Sequence, residues 1–256
     1  MATRQGAPLG APIWIDLMSS DLDGAQRFYG AVFGWTFESA GPEYGGYVTA
    51  SKDGRPVAGL MRNDPQWNAP DAWSTYLHTA DVKATVAAAT EAGATGCMEP
   101  MEVPEKGWMA IVTDPTGAPV GLWQPTGHRG FEVVGEAGAP VWHQLTTGDY
   151  GAALDFYRQV FGWQTKVEAD TPEFRYSTAS FDGEPLLGVM DGSVLGEGVP
   201  STWTFFLGAE DVDKTIELIT ANGGTVLRAA EDTPYGRLAA VADPTGAAFN
   251  LSSLTS

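Results

Sequence analysis

The stretch APIWIDLMSSDLDGAQRFYGAVFGW at residues 11–35 returns as APVWHQLTTGDYGAALDFYRQVFGW at residues 139–163. The two copies agree at 12 of 25 positions without a gap, including Trp14/Trp142, Tyr29/Tyr157 and Trp35/Trp163. The echo continues through Gly54, Pro56, Gly59 and Met61 against Gly183, Pro185, Gly188 and Met190, then Asp81 and Val82 against Asp211 and Val212. It closes with DPTGA at 114–118 and 243–247. A period of this size is a whole domain, far longer than a solenoid unit. The chain of 256 residues therefore divides into two similar domains, each long enough to bury its own core. The boundaries expected are 8–125 and 139–254, with a Gly-rich, polar linker at 126–138.

Each copy opens with an alternating strand, followed by an Asp suited to capping a helix (Asp21, Asp149) and apolar residues at helical spacing. The helix stops at Gly34 in the first copy. After a Gly-rich break come strands at 47–51 and 56–61 joined by Lys52-Asp53-Gly54. A looser version follows: a strand at 73–79, a helix from about Asp81 to Ala92, and strands near 95–98, 109–113 and 119–123. Each domain thus reads as two βαβββ units and the chain as four. Phe28, Tyr29, Phe156 and Tyr157 lie at helix-core spacing and are assigned to packing.

A formal charge of −18 and the absence of a basic stripe argue against nucleic acid as a partner. No run approaches membrane-spanning length and the opening residues hold no apolar leader core, so a cytoplasmic protein without a membrane partner is expected. The lone Cys97 excludes an internal disulfide or a cysteine-based zinc cluster and reads as packing. No nucleophile elbow, phosphate loop or dinucleotide fingerprint occurs.

The pattern of strand, Asp-x-x-x-Ala, Phe-Tyr, Val-Phe-Gly-Trp and a second unit ending Asp-Pro-Thr-Gly resembles the vicinal oxygen chelate superfamily of glyoxalases, extradiol dioxygenases and bleomycin-resistance proteins. The doubled form is similar to tandem glyoxalase-like proteins of actinobacteria, some of which occur with antibiotic biosynthesis. The resemblance spans residues 11–254 and implies an α+β fold: four βαβββ units forming two tandem domains with curved mixed sheets. It also implies a cup in each sheet where enzymes of the family hold a divalent metal with His, Glu or Gln. At the matching positions stand Trp14 and Trp142, Ser74 and Thr204, Gly121 and Asn250, and Gly59 and Gly188. Indole and glycine cannot ligate a divalent ion through their side chains, and Ser, Thr and Asn are weak ligands without charged or imidazole partners. The expectation is no metal and no other cofactor.

Period-two alternation puts Trp14, Asp16 and Met18 on the cup face, with Trp142 and Gln144 matching them in the second copy. Tyr76, His78 and Trp123 join them in the first cup and Phe206 in the second, while Gly59, Gly121 and Gly188 are expected to clear volume from the floor. Trp108, Arg237 and Asn250 complete the expected linings. Such walls suit a flat, partly apolar molecule held by stacking. Asp16 and His78 are the candidate acid–base pair. Of the other histidines, His128 is expected to be solvated in the linker and His143 to be buried on the helix side.

The first expectation for function is metal-free binding of a bulky aromatic natural product, for self-resistance or delivery to a tailoring enzyme, with the first cup the tighter. The alternative is an enzyme: a metal-independent isomerase, lyase or cyclase, or a glyoxalase-like lyase. A purely structural role would require both cups to be filled. The partner expected is a small hydrophobic or aromatic molecule. The chain would be a monomer with an internal pseudo-dimer, or a homodimer of such chains.

Overall fold

The computed structural model describes residues 6–196 and 198–254. The first half runs β1 (Pro12–Ser19), α1 (Leu22–Phe33), β2 (Thr36–Ser39), β3 (Val48–Lys52), β4 (Arg55–Arg62), β5 (Ala72–His78), α2 (Val82–Glu91), β6 (Met101–Val103), β7 (Gly107–Thr113) and β8 (Pro119–Pro125). The second half repeats it as β9 (Pro140–Thr147), α3 (Tyr150–Phe161), β10 (Gln164–Thr171), β11 (Phe174–Phe181), β12 (Glu184–Asp191), β13 (Thr202–Ala209), α4 (Val212–Ala221), β14 (Thr225–Thr233), β15 (Gly236–Ala242) and β16 (Ala248–Ser253). Each half forms one eight-stranded mixed sheet, in the orders β2-β3-β4-β1-β5-β8-β7-β6 and β10-β11-β12-β9-β13-β16-β15-β14. Units therefore pair within a half, which the length of the linker alone left open.

The helices start and stop as their sequences dictate. Asp21 accepts from the Gly24 N–H and Asp149 from Ala152, each satisfying a free amide of the first turn. Gly34 and Gly162 end their helices in the left-handed conformation, at φ 68° in both. Two strands differ from expectation. β2 forms over Thr-Phe-Glu-Ser, where the sequence suggested only a break. The strand expected at 95–98 is reduced to one bridge, Thr95 to Thr113, and pairing resumes at β6 beyond Pro100, whose missing N–H cannot enter a ladder.

The helix faces of the two sheets pack on each other, with α1 beside α4, α2 beside α3, and β5 touching β13. One core cluster joins Ile15, Leu17 and Phe28 of the first half to Phe205, Ile219 and Phe249 of the second. Its counterpart joins Leu77, Val82 and Leu122 to Phe156, Tyr157 and Trp203. The residues that the repeat preserves make this interface. Trp73 Nε1 donates to Tyr29 Oη (2.9 Å), which donates to Asp243 Oδ2 (3.2 Å) in the other domain. Reciprocally, Trp203 donates to Tyr157 (2.9 Å), which donates to Asp114 (3.0 Å). Trp35 Nε1 donates to Gly138 O (2.7 Å) and Trp163 Nε1 to Gly10 O (2.9 Å). Tyr29 and Tyr157 thus carry more than packing: each buried hydroxyl accepts from a tryptophan of its own half and donates across the interface to a carboxylate of the other.

Candidate functional site

The opposite face of each sheet is the cup. In the first cup, Asp16 of β1 lies in register with Gly59 on β4 and Ser74 on β5, and Trp14 pairs with Tyr76. Tyr76 in turn pairs with Gly121 on β8. These neighbours form one polar knot. Tyr47 Oη donates to Asp16 Oδ1 (2.6 Å), and Trp14 Nε1 lies 2.9 Å from the same oxygen and 2.8 Å from Tyr47 Oη. Burial pushes the Asp16 carboxyl up, and hydrogen bonds from Tyr47, Trp14 and Tyr76 pull it back only in part, leaving it at about 6.

The glycines do not leave a void. A Cβ at Gly59 would overlap Tyr47 Oη and Asp16 Oδ1, and one at Gly121 would overlap the Tyr76 ring. Each glycine admits a tyrosine across the space where a ligating side chain would stand. The donor set does not fit the divalent metal that the family resemblance implies. Of the four positions, two are glycines covered by phenol rings, one is an indole and one a lone serine hydroxyl. Among the described residues, no group of three or more His, Cys, Asp or Glu could hold an ion.

The linker packs against the aromatic wall of the first cup. Phe131 N donates to Ile13 O (3.0 Å), and Phe131 and Val133 are buried. This strap carries His128 against the aromatic wall, with ring centroids 4.3 Å from Trp14 and 5.7 Å from Trp123. Trp123 Nε1 donates to His128 O (2.8 Å). The expectation of a solvated His128 is therefore corrected. Burial and the charge of Lys106 hold its imidazole down to about 4, and Nε2 is buried without a partner among the described residues. Trp14, Tyr76 and Trp123 are only 3%, 5% and 7% exposed. Sequence reasoning missed Tyr47 and His128. Tyr47 had a detectable signal, since Tyr176 stands at the matching place in the other copy, whereas His128 lies in the linker.

The second cup is built alike but stays more open. Trp142 Nε1 donates to Tyr176 Oη (2.9 Å), and the Tyr176 ring covers Gly188 as Tyr47 covers Gly59. Gln144 replaces Asp16, and its Nε2 donates to Thr146 Oγ1 (3.3 Å). Asn250 replaces Gly121, and its Nδ2 donates to Thr204 Oγ1 (2.9 Å). Among the described residues no donor reaches either amide oxygen. Trp142, Gln144 and Asn250 are each half-buried, while Phe206 beneath them is buried.

Three expected site residues lie elsewhere or apart. Trp108 sits under Lys83 of α2, 4.8 Å from its Nζ, and Arg237 pairs with Asp213 of α4 (2.8 Å) and with Asp232 (3.1 Å). Both face the helices, because on their strands the fully buried helix-side residues Ala110, Val112, Ala239 and Val241 share their phase. Met109, Ile111, Leu238 and Ala240 take the cup positions. His78 is held through Nδ1 by Ala7 O (2.6 Å) and makes no bond to Asp16. Met18, beside Met61 in register, is half-buried at the rim. His143 is buried between Phe131 and Phe205, as expected.

The comparisons with known proteins agree with this architecture. The model of the Glyoxalase/Bleomycin resistance protein/Dioxygenase superfamily matches residues 12–122 and 139–251. Anthracycline biosynthesis protein DnrV of Streptomyces peucetius is 34% identical, covering 94% of this chain and 92% of its own. CFP32 of Mycobacterium tuberculosis (strain CDC 1551 / Oshkosh), a protein carrying a glyoxylase name, is 33% identical, covering 98% and 97%. Among solved structures, the Mn(II)-bound glyoxalase from Novosphingobium aromaticivorans superposes with a TM-score of 0.66 at 15% identity, over 97% of this chain and 83% of its own, a likeness of fold. No helix among the described residues is long and apolar enough to cross a membrane. With both halves matched, the chain belongs to the glyoxalase/bleomycin resistance protein/dioxygenase superfamily.

Proposed function

We propose that this protein binds a flat, hydroxylated aromatic natural product without a metal, and that the second cup receives it. The observation that carries the reading is the pair of unclaimed amide oxygens on Gln144 and Asn250 beside the half-buried Trp142. Phenolic hydroxyls are donors that would satisfy those oxygens, while the ring system stacks on the indole. The name of the relative DnrV, an anthracycline biosynthesis protein, supports an aromatic ligand and a place in antibiotic biosynthesis or resistance. This reading favours the second cup over the first, which was expected to bind more tightly, because the strap and the Tyr47–Asp16 knot engage the aromatic wall of the first.

Quenching of tryptophan fluorescence by 1,4-dihydroxyanthraquinone tests this. Saturable binding is expected. Trp142→Ala should weaken it several-fold, matching the roughly 0.5–1.5 kcal/mol of an aromatic pair beyond area burial. Absence of saturable binding, or an unchanged affinity in Trp142→Ala, would overturn the reading.

A second reading has its own observation. Asp16, poised at about 6, can exchange a proton near neutrality, as a metal-independent isomerase, lyase or cyclase requires. Turnover of an aromatic intermediate that is lost in Asp16→Asn would establish this reading, and turnover that survives the substitution would remove it.

A further inference from the structure

Between β4 and β5 the first domain carries an open cleft of about 440 Å³, lined by Asn63 and Asp71 together with Ser20, Pro65, Asn68, Ala69 and Pro70. Asn63 is 7% exposed. Its Nδ2 donates to Ala69 O (2.8 Å) and to Asp71 Oδ1 (2.7 Å), which fixes the orientation of the amide. Oδ1 is buried and has no partner among the described residues. Asp71 Oδ2 accepts from the Ser20 N–H (2.8 Å) and hydroxyl (2.6 Å). Burial pushes the Asp71 carboxyl up, but hydrogen bonds from Ser20, Asn63 and Thr245 outweigh it and hold the group below the usual range. Among the described residues no Lys or Arg pairs with this carboxylate.

The second domain shows what the scaffold itself needs here. At the place of Asp71 stands Ser201, whose Oγ accepts the Gly148 N–H (3.0 Å) just as Asp71 accepts that of Ser20. At the place of Asn63 stands Gly192, with no side chain. One hydroxyl is enough to hold the loop. Among the described residues, the first domain instead keeps a negative charge without a cation and a buried amide oxygen without a donor, an arrangement that costs stability unless a ligand supplies the donor.

We infer that this cleft is a binding site for the protonated primary amine of a small molecule. An ammonium carries three donors and no acceptor, which matches an orphan carbonyl oxygen beside a carboxylate oxygen with a lone pair to spare. The volume falls within the usual range for small-molecule sites. A net charge of −18 raises the local concentration of cations. Because Oδ1 is itself fully buried, the loop at 64–70 must yield for the amine to reach it. The site lies outside both cups and does not depend on the reading proposed for them.

The test is an NMR titration of the ¹⁵N-labelled full chain with benzylammonium chloride in about 150 mM salt, a concentration that screens diffuse attraction. The Asn63 side-chain amide and the Ser20 N–H should shift saturably, and benzyl alcohol at equal concentration should not shift them. Asp71→Ser, which copies the second domain, should weaken binding tenfold or more while leaving the remaining spectrum in place. Asn63→Gly, the other half of that copy, should weaken it as well. Trp142→Ala should leave this titration unchanged, which separates it from the cup. An absent or non-saturating shift, an equal response to the alcohol, or full affinity in Asp71→Ser would each overturn the assignment.

Discussion

The two cups share a framework and differ in what fills it. Each has an indole bonded to a tyrosine hydroxyl over a glycine: Trp14, Tyr47 and Gly59 in one, Trp142, Tyr176 and Gly188 in the other. In the first, a half-buried carboxylate takes bonds from both members of that pair, and the linker lays an imidazole on the indole. In the second, amides replace the carboxylate and Gly121, and the indole keeps part of its surface. Duplication preserved the interface between copies, where each residue answers to its counterpart, and released the linings, which answer to nothing across the interface.

The comparison can be broken at several points. The largest effect is expected from Gly59→Ala against Gly188→Ala. The first drives a methyl into both Tyr47 Oη and Asp16 Oδ1 and disrupts the whole knot, whereas the second meets one phenol on one bond. Urea denaturation should show a loss of about 3–5 kcal/mol for Gly59→Ala and clearly less for Gly188→Ala. Equal losses would mean that the knot adds nothing to the first cup.

Next comes the pH dependence of Asp16. With its pKa raised from 3.8 to about 6 in the folded state, the native protein binds a proton more tightly than the unfolded chain. Its contribution is fully present below about pH 4 and is lost as pH rises through 6. Asp16→Asn removes that loss. Between pH 4 and pH 8 the variant should gain up to about 3 kcal/mol relative to wild type, levelling off above about pH 7, whereas Gln144→Asn should show no such trend. Parallel profiles for wild type and Asp16→Asn would contradict the raised Asp16 pKa.

His128 has the opposite sign. Its folded pKa, lowered to about 4, makes the unfolded chain the better proton acceptor between about 4 and 6.5, so its contribution is present at neutral pH and is lost on acidification. His128→Ala should cost about 1–2 kcal/mol at pH 7 and flatten the acid limb, read by thermal melts across that range. An unchanged acid limb would place the imidazole in solvent.

The framework was legible in the sequence because repetition and local punctuation carry it. Capping Asp21 and Asp149, the left-handed Gly34 and Gly162, and the shared Asp-Pro-Thr-Gly turns each announce a boundary through backbone chemistry that neighbours cannot override. The interface was visible only as repeated residues, since nothing local to Tyr29 says that its hydroxyl meets Asp243 across more than two hundred residues. The cup was half legible. Alternation placed Trp14, Asp16, Tyr76, Trp142, Gln144 and Phe206 correctly on β1, β5, β9 and β13, but failed for Trp108 and Arg237, where the phase of β7 and β15 is set by the buried Ala110 and Ala239. Glycine was misread as empty space. A small residue in a packed sheet marks close approach by something else, here Tyr47, Tyr76 and Tyr176.

The central claim is that the second cup takes the ligand while the strap on Trp14 and Trp123 keeps it from the first. Isothermal titration of the wild type and His128→Ala with 1,4-dihydroxyanthraquinone tests it most directly. The account predicts one site per chain in the wild type, removed or weakened by Trp142→Ala, and a second site that appears in His128→Ala and is weakened by Trp14→Ala. Two equivalent sites in the wild type, or a single site sensitive to Trp14→Ala and indifferent to Trp142→Ala, would contradict it.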